Sequence, residues 1–488
     1  MLKKSLPLLF CFLVTICSLK AQVINQYPLS PFGGSISSVV GAVNSYNAYI
    51  TSGGSVIEPL DGSVNALSST LTQNQKNVDA ALARAINAQF NTVSYNSSTG
   101  TPLYVGNQQA INQLINAISP NAAAYQDVLN QLSPGIYTTL PTILFNSANL
   151  QNIQLQQRLG ALRTSNTDVA TENELATKKI IVPSKNRCSS SEDQGEKITT
   201  FVDGNGMWSQ AQSVNTLPSY NTYAGGVQTG ASYHLASGFD VGPYVGYQGT
   251  CATYQDDGGS TIVDNSVRYG LFGTYANGGF YTDGIVGGAY NAVNVNRRLK
   301  FSNPNSDPYT QMGFGPGTTI NSTAAGNVAG GELDSLLGTG YNFSVNKLKF
   351  GPSGSIQYSY LGLGSTQESG AGIENLNVGT QNASSLLITL GGQVSYDWNL
   401  SNSILLQPYG SLAWQHEFLQ NSYGLNSSIL GQNFNYSTTN PGRDQYIAGI
   451  GANLILTKSI SLFAVCDLIN GDSKVFTQSV FGGCNYKF

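Results

Sequence analysis

From Ile198 to the terminal Phe488, apolar and polar residues alternate with a period of two. In 445–456, Tyr446, Ala448, Ile450, Ala452, Leu454 and Leu456 stand against Gln445, Gly449, Gly451 and Asn453. In 386–398, Leu386, Ile388, Leu390, Val394, Tyr396 and Trp398 stand against Thr389, Gln393, Ser395 and Asp397. Successive side chains of a strand point to opposite faces, so each run reads as a strand with one greasy and one wet face. Twelve such runs begin near Ile198, Tyr220, Phe239, Ile262, Phe280, Asn327, Leu348, Ser385, Ile404, Asp444, Ile460 and Val475. Tight turns such as 276–279 alternate loosely with long polar loops, the longest near 302–323 and 422–442. Two-faced runs of about ten residues, even in number, with short turns opposite long loops, describe a transmembrane β-barrel.

Charge phase tests that reading. A charge on the lipid face costs about 2–4 kcal/mol near the bilayer midplane, so ionised groups belong on the polar phase. Asp203, Arg268, Asp283, Glu332, Asp334, Asp397, Glu417, Arg443 and Asp467 all fall there and are assigned to the lumen. His416 shares the phase of Trp414 and Phe418 and is expected at the membrane interface. The chain ends on an alternating outward face of Val480, Gly482, Cys484, Tyr486 and Phe488.

The other bounds follow from composition and the N-terminus. Only 10% of residues are charged, against roughly a quarter in an average soluble domain. The formal charge is -4 with no basic patch, which excludes nucleic acid as a partner. Two His and six Cys without metal-ligand spacing predict neither metal nor cofactor. Lys3 and Lys4, the apolar run 6–19 and Ala21 read as a signal peptide over 1–21; a lipoprotein site at Cys17 is the weaker alternative. That run is too short to span a bilayer, which takes about 20 residues. Cys188, Cys251, Cys466 and Cys484 remain after cleavage, either as small apolar residues or as disulfide partners.

Residues 22–163 change period. Val64, Leu67, Leu71, Val78, Leu82 and Ile86 recur at helical spacing; 111–118, 125–132 and 136–162 read as further short helices, with 91–106 a loop or hairpin. Their polar faces carry Asn and Gln rather than Lys and Glu. Residues 164–197 read as a linker with a short helix near 168–179. The fold class is therefore α+β, mainly β: a small, mostly helical region (22–163), a linker (164–197), and a twelve-stranded antiparallel transmembrane barrel (198–488).

A barrel of this size closing on a terminal Phe resembles the translocator domain of autotransporters. The segment Val128-Leu129-Asn130-Gln131-Leu132-Ser133-Pro134, followed by Tyr137, Leu144 and Arg158-Leu159, is similar to the helical stretch that often precedes that barrel. The Gly–Tyr-rich run 241–247 is similar as well. The resemblance implies an outer membrane of Gram-negative type, insertion by the barrel assembly machinery with Val480, Tyr486 and Phe488 as its signal, and a helix held in the lumen. The nearest candidate for that helix is 167–179, held by Arg268, Arg443, Asp283 and Glu332. It also implies a preceding segment delivered to the cell surface, here unusually short and without β-helix repeats. No Asn-Asn pair occurs in 164–197, so self-cleavage at such a pair is not expected.

The exported region contains neither His nor Cys, and Glu58, Asp61, Asp79 and Asp127 are scattered, so Ser-His-Asp and Cys-His chemistry is not available within it and no enzyme is expected. Two functions remain open. In one, a monomeric barrel in outer-membrane lipid anchors and translocates a short segment for adhesion or contact with an unknown surface ligand. In the other, a porin-like barrel carries a periplasmic helical domain.

Overall fold

The computed structural model describes residues 71–90, 122–177 and most of 198–488, with short pieces at 94–95, 102–103, 110 and 113–114. Within 198–488, residues 214–216, 236–237, 256–258, 303–318, 402–403, 420–423, 439–441, 458 and 473–474 are not described. The signal-peptide reading, Cys188 and the long loop after Ser302 therefore lie outside the described residues.

The C-terminal region is a closed antiparallel barrel of twelve strands. They are β1 (Ile198–Ala211), β2 (Tyr220–Leu235), β3 (Phe239–Tyr254), β4 (Thr261–Asn277), β5 (Phe280–Ser302) and β6 (Thr319–Tyr341). The second half comprises β7 (Leu348–Leu363), β8 (Gln381–Tyr396), β9 (Leu405–Glu417), β10 (Asp444–Ile455), β11 (Ile460–Gly471) and β12 (Val475–Lys487). Each strand pairs with its sequence neighbours. The wall closes where β12 pairs with β1 from Val475↔Ala211 to Lys487↔Thr199, so neither terminal strand leaves an edge. A last bond from Phe488 N to Ile198 O, 2.8 Å, seals the seam.

Lipid decides which residues face out. Among the described residues, the exposed large apolar side chains lie on the barrel's outer face and at its rims, among them Val202, Tyr223, Val245, Leu271, Val286, Leu337, Ile356, Leu412 and Ile450. Val480, Tyr486 and Phe488 belong to this outer surface. The apolar band stops at Tyr290 on β5, above which the outward residues are Ala292, Asn294, Asn296, Arg298 and Lys300. Strands β5 and β6, 23 residues each, thus stand well clear of the lipid at the long-loop end.

Inside, several tyrosines lie across glycines of the adjoining strands. Tyr244 lies over Gly270 and Gly287, Tyr281 over Gly340 and Tyr409 over Gly451, each too close for a Cβ. Cys466 and Cys484 carry free thiols. Cys466 pairs with Val480 and Cys484 with Leu462. The two sulfurs are thus four residues out of register, about 13 Å at ~3.3 Å per residue, whereas a disulfide needs Cα atoms within ~7 Å. The unfolded protein should therefore take up maleimide at Cys466 and Cys484 equally with and without prior reduction; labelling that requires reductant would contradict this register.

Among the described residues, the main helices before the barrel are α1 (Gln73–Phe90), α2 (Ala122–Gln131) and α3 (Leu140–Thr177). Between α1 and α2, the two-residue strands Ser94–Tyr95 and Pro102–Leu103 form a small hairpin. Ser133-Pro134 ends α2, and a 3-10 turn over Gly135–Thr139 leads directly into α3. Pro141 sits in the first turn of α3, where its missing N–H costs nothing. The sequence reading of a helix ending at 162 falls short, since the helix continues to Thr177.

Candidate functional site

Helix α3 threads the bore. Residues 140–163 run through it from the long-loop end to the short-turn end, most of them buried and none exposed. A helix buried all round is usually apolar all round; this one is ringed by amides because its socket is polar. Gln151 Nε2 donates to Gln248 Oε1 at 3.0 Å, Gln154 Oε1 accepts from Asn205 Nδ2 at 2.8 Å, and Gln157 Nε2 donates to Asp467 Oδ2 at 3.0 Å. Between these bonds, Leu155, Leu159 and Leu162 pack on Phe201, Tyr244, Phe272, Ile285 and Leu336. Leu150 packs on Met207, Ala224, Phe463, Val465 and Phe481.

Charge complements shape. Between its ends the bore wall carries seven buried carboxylates, Asp203, Asp240, Asp264, Asp283, Glu332, Asp334 and Asp467, against one arginine, Arg268. The 140–163 stretch carries two arginines and no acid. Arg158 is fully buried, 3.7 Å from Asp203, hydrogen-bonded to Asn485, with its guanidinium 3.6 Å from the centre of the Phe201 ring. Arg163 pairs with Asp283, donates to Thr274 Oγ1 at 3.0 Å and lies 4.0 Å above the Tyr281 ring. On the wall itself, Arg268 bridges Glu332 at 3.1 Å and Asp334. A cationic helix thus sits in an anionic socket.

The structure corrects the identity of the lumen helix. The sequence reading placed it at 167–179 with Arg268, Arg443, Asp283 and Glu332 as its clasp. Residues 140–163 occupy the bore instead, and of that set only Asp283 is paired to the helix, through Arg163. Arg268 and Glu332 are paired to each other. Arg443 stands at the long-loop end, beside the start of β10. Among the remaining expected lumen charges, Asp203 and Asp467 face the helix, Asp334 binds Arg268, and Glu417 accepts from Leu386 N at 2.9 Å near the long-loop rim. Asp397 lies at the short-turn mouth, 2.8 Å from Lys349. His416 lies at the outer rim, its Nδ1 2.9 Å from Asp444 Oδ1, between the rings of Trp414 and Phe418.

Above the bore, the helical region is fused to the long loops. A single buried cluster joins Val78, Leu82, Leu129, Leu132 and Tyr137 to Tyr254, Val295, Leu299, Leu376 and Phe434. Its polar centre is Arg297 on β5, whose guanidinium donates twice to Glu368, at 3.0 and 2.6 Å, and also to the carbonyls of Gln131 and Glu374. Glu368 in turn accepts from the Tyr137 hydroxyl at 3.0 Å and from Leu376 N at 2.7 Å. Helix α1 covers the free edge of the 432–437 strand: Asn74, Asn77 and Arg84 donate to the carbonyls of Ser437, Asn435 and Asn433 at 2.7, 2.8 and 2.9 Å. Covering an edge in this way removes a template for strand addition.

One acid in this cap titrates near neutrality. Burial pushes the Glu374 carboxyl up to about 7, despite the opposing effects of its own backbone N–H and of Arg297. A carboxyl whose folded value is raised contributes stability at low pH that is lost as pH rises from about 4.5 through about 7. The cap should therefore be tighter at pH 5 than at pH 8, by on the order of 2–3 kcal/mol. Protease resistance of the cap measured at both pH values tests this, and Glu374→Gln should remove the difference.

Among the described residues no helix is long and apolar enough to cross a membrane, so crossing falls to the strands. The autotransporter β-domain family matches residues 200–466, more than half of the chain. A comparison with curated proteins finds no match. Among solved structures, the translocator domain of the autotransporter NalP from Neisseria meningitidis is 11% identical, with a TM-score of 0.45 over 67% of this chain and 97% of that one. The β domain of the Bordetella autotransporter BrkA is 18% identical, with a TM-score of 0.41 over 60% of this chain and 100% of that one. The transport unit of the Escherichia coli autotransporter AIDA-I is 14% identical, with a TM-score of 0.38 over 66% and 99%. The family match, together with a closed twelve-stranded barrel, places this protein in the outer membrane, and the chain belongs to the autotransporter family.

Proposed function

We propose that this barrel delivers its own N-terminal helices to the cell surface and then keeps them there, with 140–163 as the resident plug and 71–139 as a folded cap for surface contact. The observation that carries this reading is the direction of α3. Long loops of outer-membrane barrels face outward and short turns face the periplasm. A helix that enters the bore at the long-loop end leaves the described residues before Leu140 on the outer side, packed on the outer loops. That arrangement favours presentation over a periplasmic helical domain. Delivery of the barrel by the assembly machinery, with Val480, Tyr486 and Phe488 presented outward, and a monomeric state belong to the same proposal. So does a role in binding rather than catalysis, for the cap holds no His or Cys.

Lys76 is exposed on α1 and offers a test. In a background with Cys188, Cys251, Cys466 and Cys484 replaced, Lys76→Cys should react with a membrane-impermeant maleimide on intact cells. Labelling that appears only after the outer membrane is permeabilised would favour the periplasmic alternative.

A further inference from the structure

We propose that the 432–437 strand of the cap is a docking edge for the same strand of a second copy of this chain, and that helix α1 keeps the protein monomeric by masking it. This inference goes beyond the surface-presentation reading and does not depend on it, because the edge is masked on whichever side of the membrane the cap lies.

The strand is the last of a four-stranded sheet built from the outer loops, and its one strand partner is 424–429. An antiparallel ladder uses the backbone groups of alternate residues. Those of Gln432, Phe434 and Tyr436 serve the pairing with 424–429, and those of Asn433, Asn435 and Ser437 face the edge, where α1 meets them. Every clasp comes from a side chain of α1. Asn74 works in both directions, donating to Ser437 O at 2.7 Å and accepting from Ser437 N at 3.0 Å, as a neighbouring strand would. Val78 and Leu82, 0% and 1% exposed, seat the helix in the apolar cluster that includes Phe434.

Nothing within the strand protects its edge. Natural edges are blunted by charged side chains, proline or bulges, yet residues 424–438 contain no charged residue and no proline. Gln432-Asn-Phe-Asn-Tyr-Ser437 alternates polar with aromatic residues: Phe434 and Tyr436 are buried, while Asn433, Asn435 and Ser437 are exposed. Uncharged segments of this kind add readily to their own copies.

The same face selects a second copy as the occupant. When the strand pairs antiparallel with itself about a two-fold axis, Asn435 meets Asn435 and Asn433 meets Ser437. Asn426 stands directly opposite Asn435 within the chain and is exposed on the same face. Two copies therefore line up four amides, Asn426 and Asn435 followed by the same pair in reverse, as one ladder across the joint. No charge is buried in forming it.

Light scattering coupled to size-exclusion chromatography of the full-length, detergent-solubilised protein tests the proposal. The unaltered protein should run as a monomer. Val78→Asp with Leu82→Asp places two charges where α1 excludes water, which drives the helix off the sheet, and the protein mass should then double. Adding Asn435→Pro should restore the monomer. Proline removes the edge-facing N–H at the centre of the joint, keeps the bonds to 424–429, and leaves the uncovered apolar surface unchanged. A dimer that survives Asn435→Pro would be held by that apolar surface and would overturn the proposal. So would a Val78→Asp, Leu82→Asp protein that stays monomeric. Neither result bears on the side of the membrane the cap occupies, which the Lys76→Cys labelling reads separately.

Discussion

Removing residues 71–163 should convert a quiet barrel into a steady, nanosiemens-scale channel in planar bilayers, and that channel should select cations. Two features fix the size and sign of the effect. With strands tilted ~35–45°, a twelve-stranded wall encloses a bore wide enough for one helix about 10–12 Å across. Emptying it leaves a continuous polar passage. The wall would then present seven buried carboxylates and one arginine, because Arg158 and Arg163 depart with the helix. The full-length protein should conduct little under the same conditions. Equal conductance with and without the helix would remove the plug from the account, and anion selectivity would contradict the charge pattern.

The second large effect concerns the cap. Arg297→Met should loosen it by about 3–5 kcal/mol, the cost typical of stripping one partner from a buried ion pair. Glu368 is 3% exposed, and with its arginine gone it would keep only Tyr137 and Leu376 as donors. The carbonyls of Gln131 and Glu374 would lose a donor as well. Tryptic cleavage at Lys76 and Arg84 on intact cells should therefore accelerate sharply, while the barrel keeps its heat-modifiable migration. Adding Glu368→Gln should recover part of the loss, since no unpaired charge would then be buried. Unchanged cleavage would mean that the apolar cluster alone holds the cap.

Much of the barrel was legible in the chain because lipid and lumen impose opposite demands on alternate residues. All twelve predicted strand starts fall within a few residues of the observed ones, except β6, which begins eight residues before the expected Asn327. There the outward phase carries Asn321, Thr323 and Ala325, since that part of the strand stands above the lipid and shows no greasy face. The plug was harder to find for the complementary reason. Its socket is polar, so 140–163 carries amides where a soluble core helix would carry leucines, and nothing in its periodicity marks it as buried. The absence of any acid across those residues, against a wall rich in them, was the available signal. Arg297 and Glu368 were equally silent: one is a strand residue and the other a loop residue, 71 positions apart, and only the fold brings them together.

Cross-linking the helix to the wall tests the central claim most directly. In a cysteine-free background, Gln154→Cys and Asn205→Cys replace two side chains that meet at 2.8 Å inside the bore. Treatment of cells with a short bifunctional thiol reagent should join them efficiently, giving a looped species of altered gel mobility that neither single variant yields. Efficient single labelling without any cross-link would show that residues 140–163 lie outside the barrel.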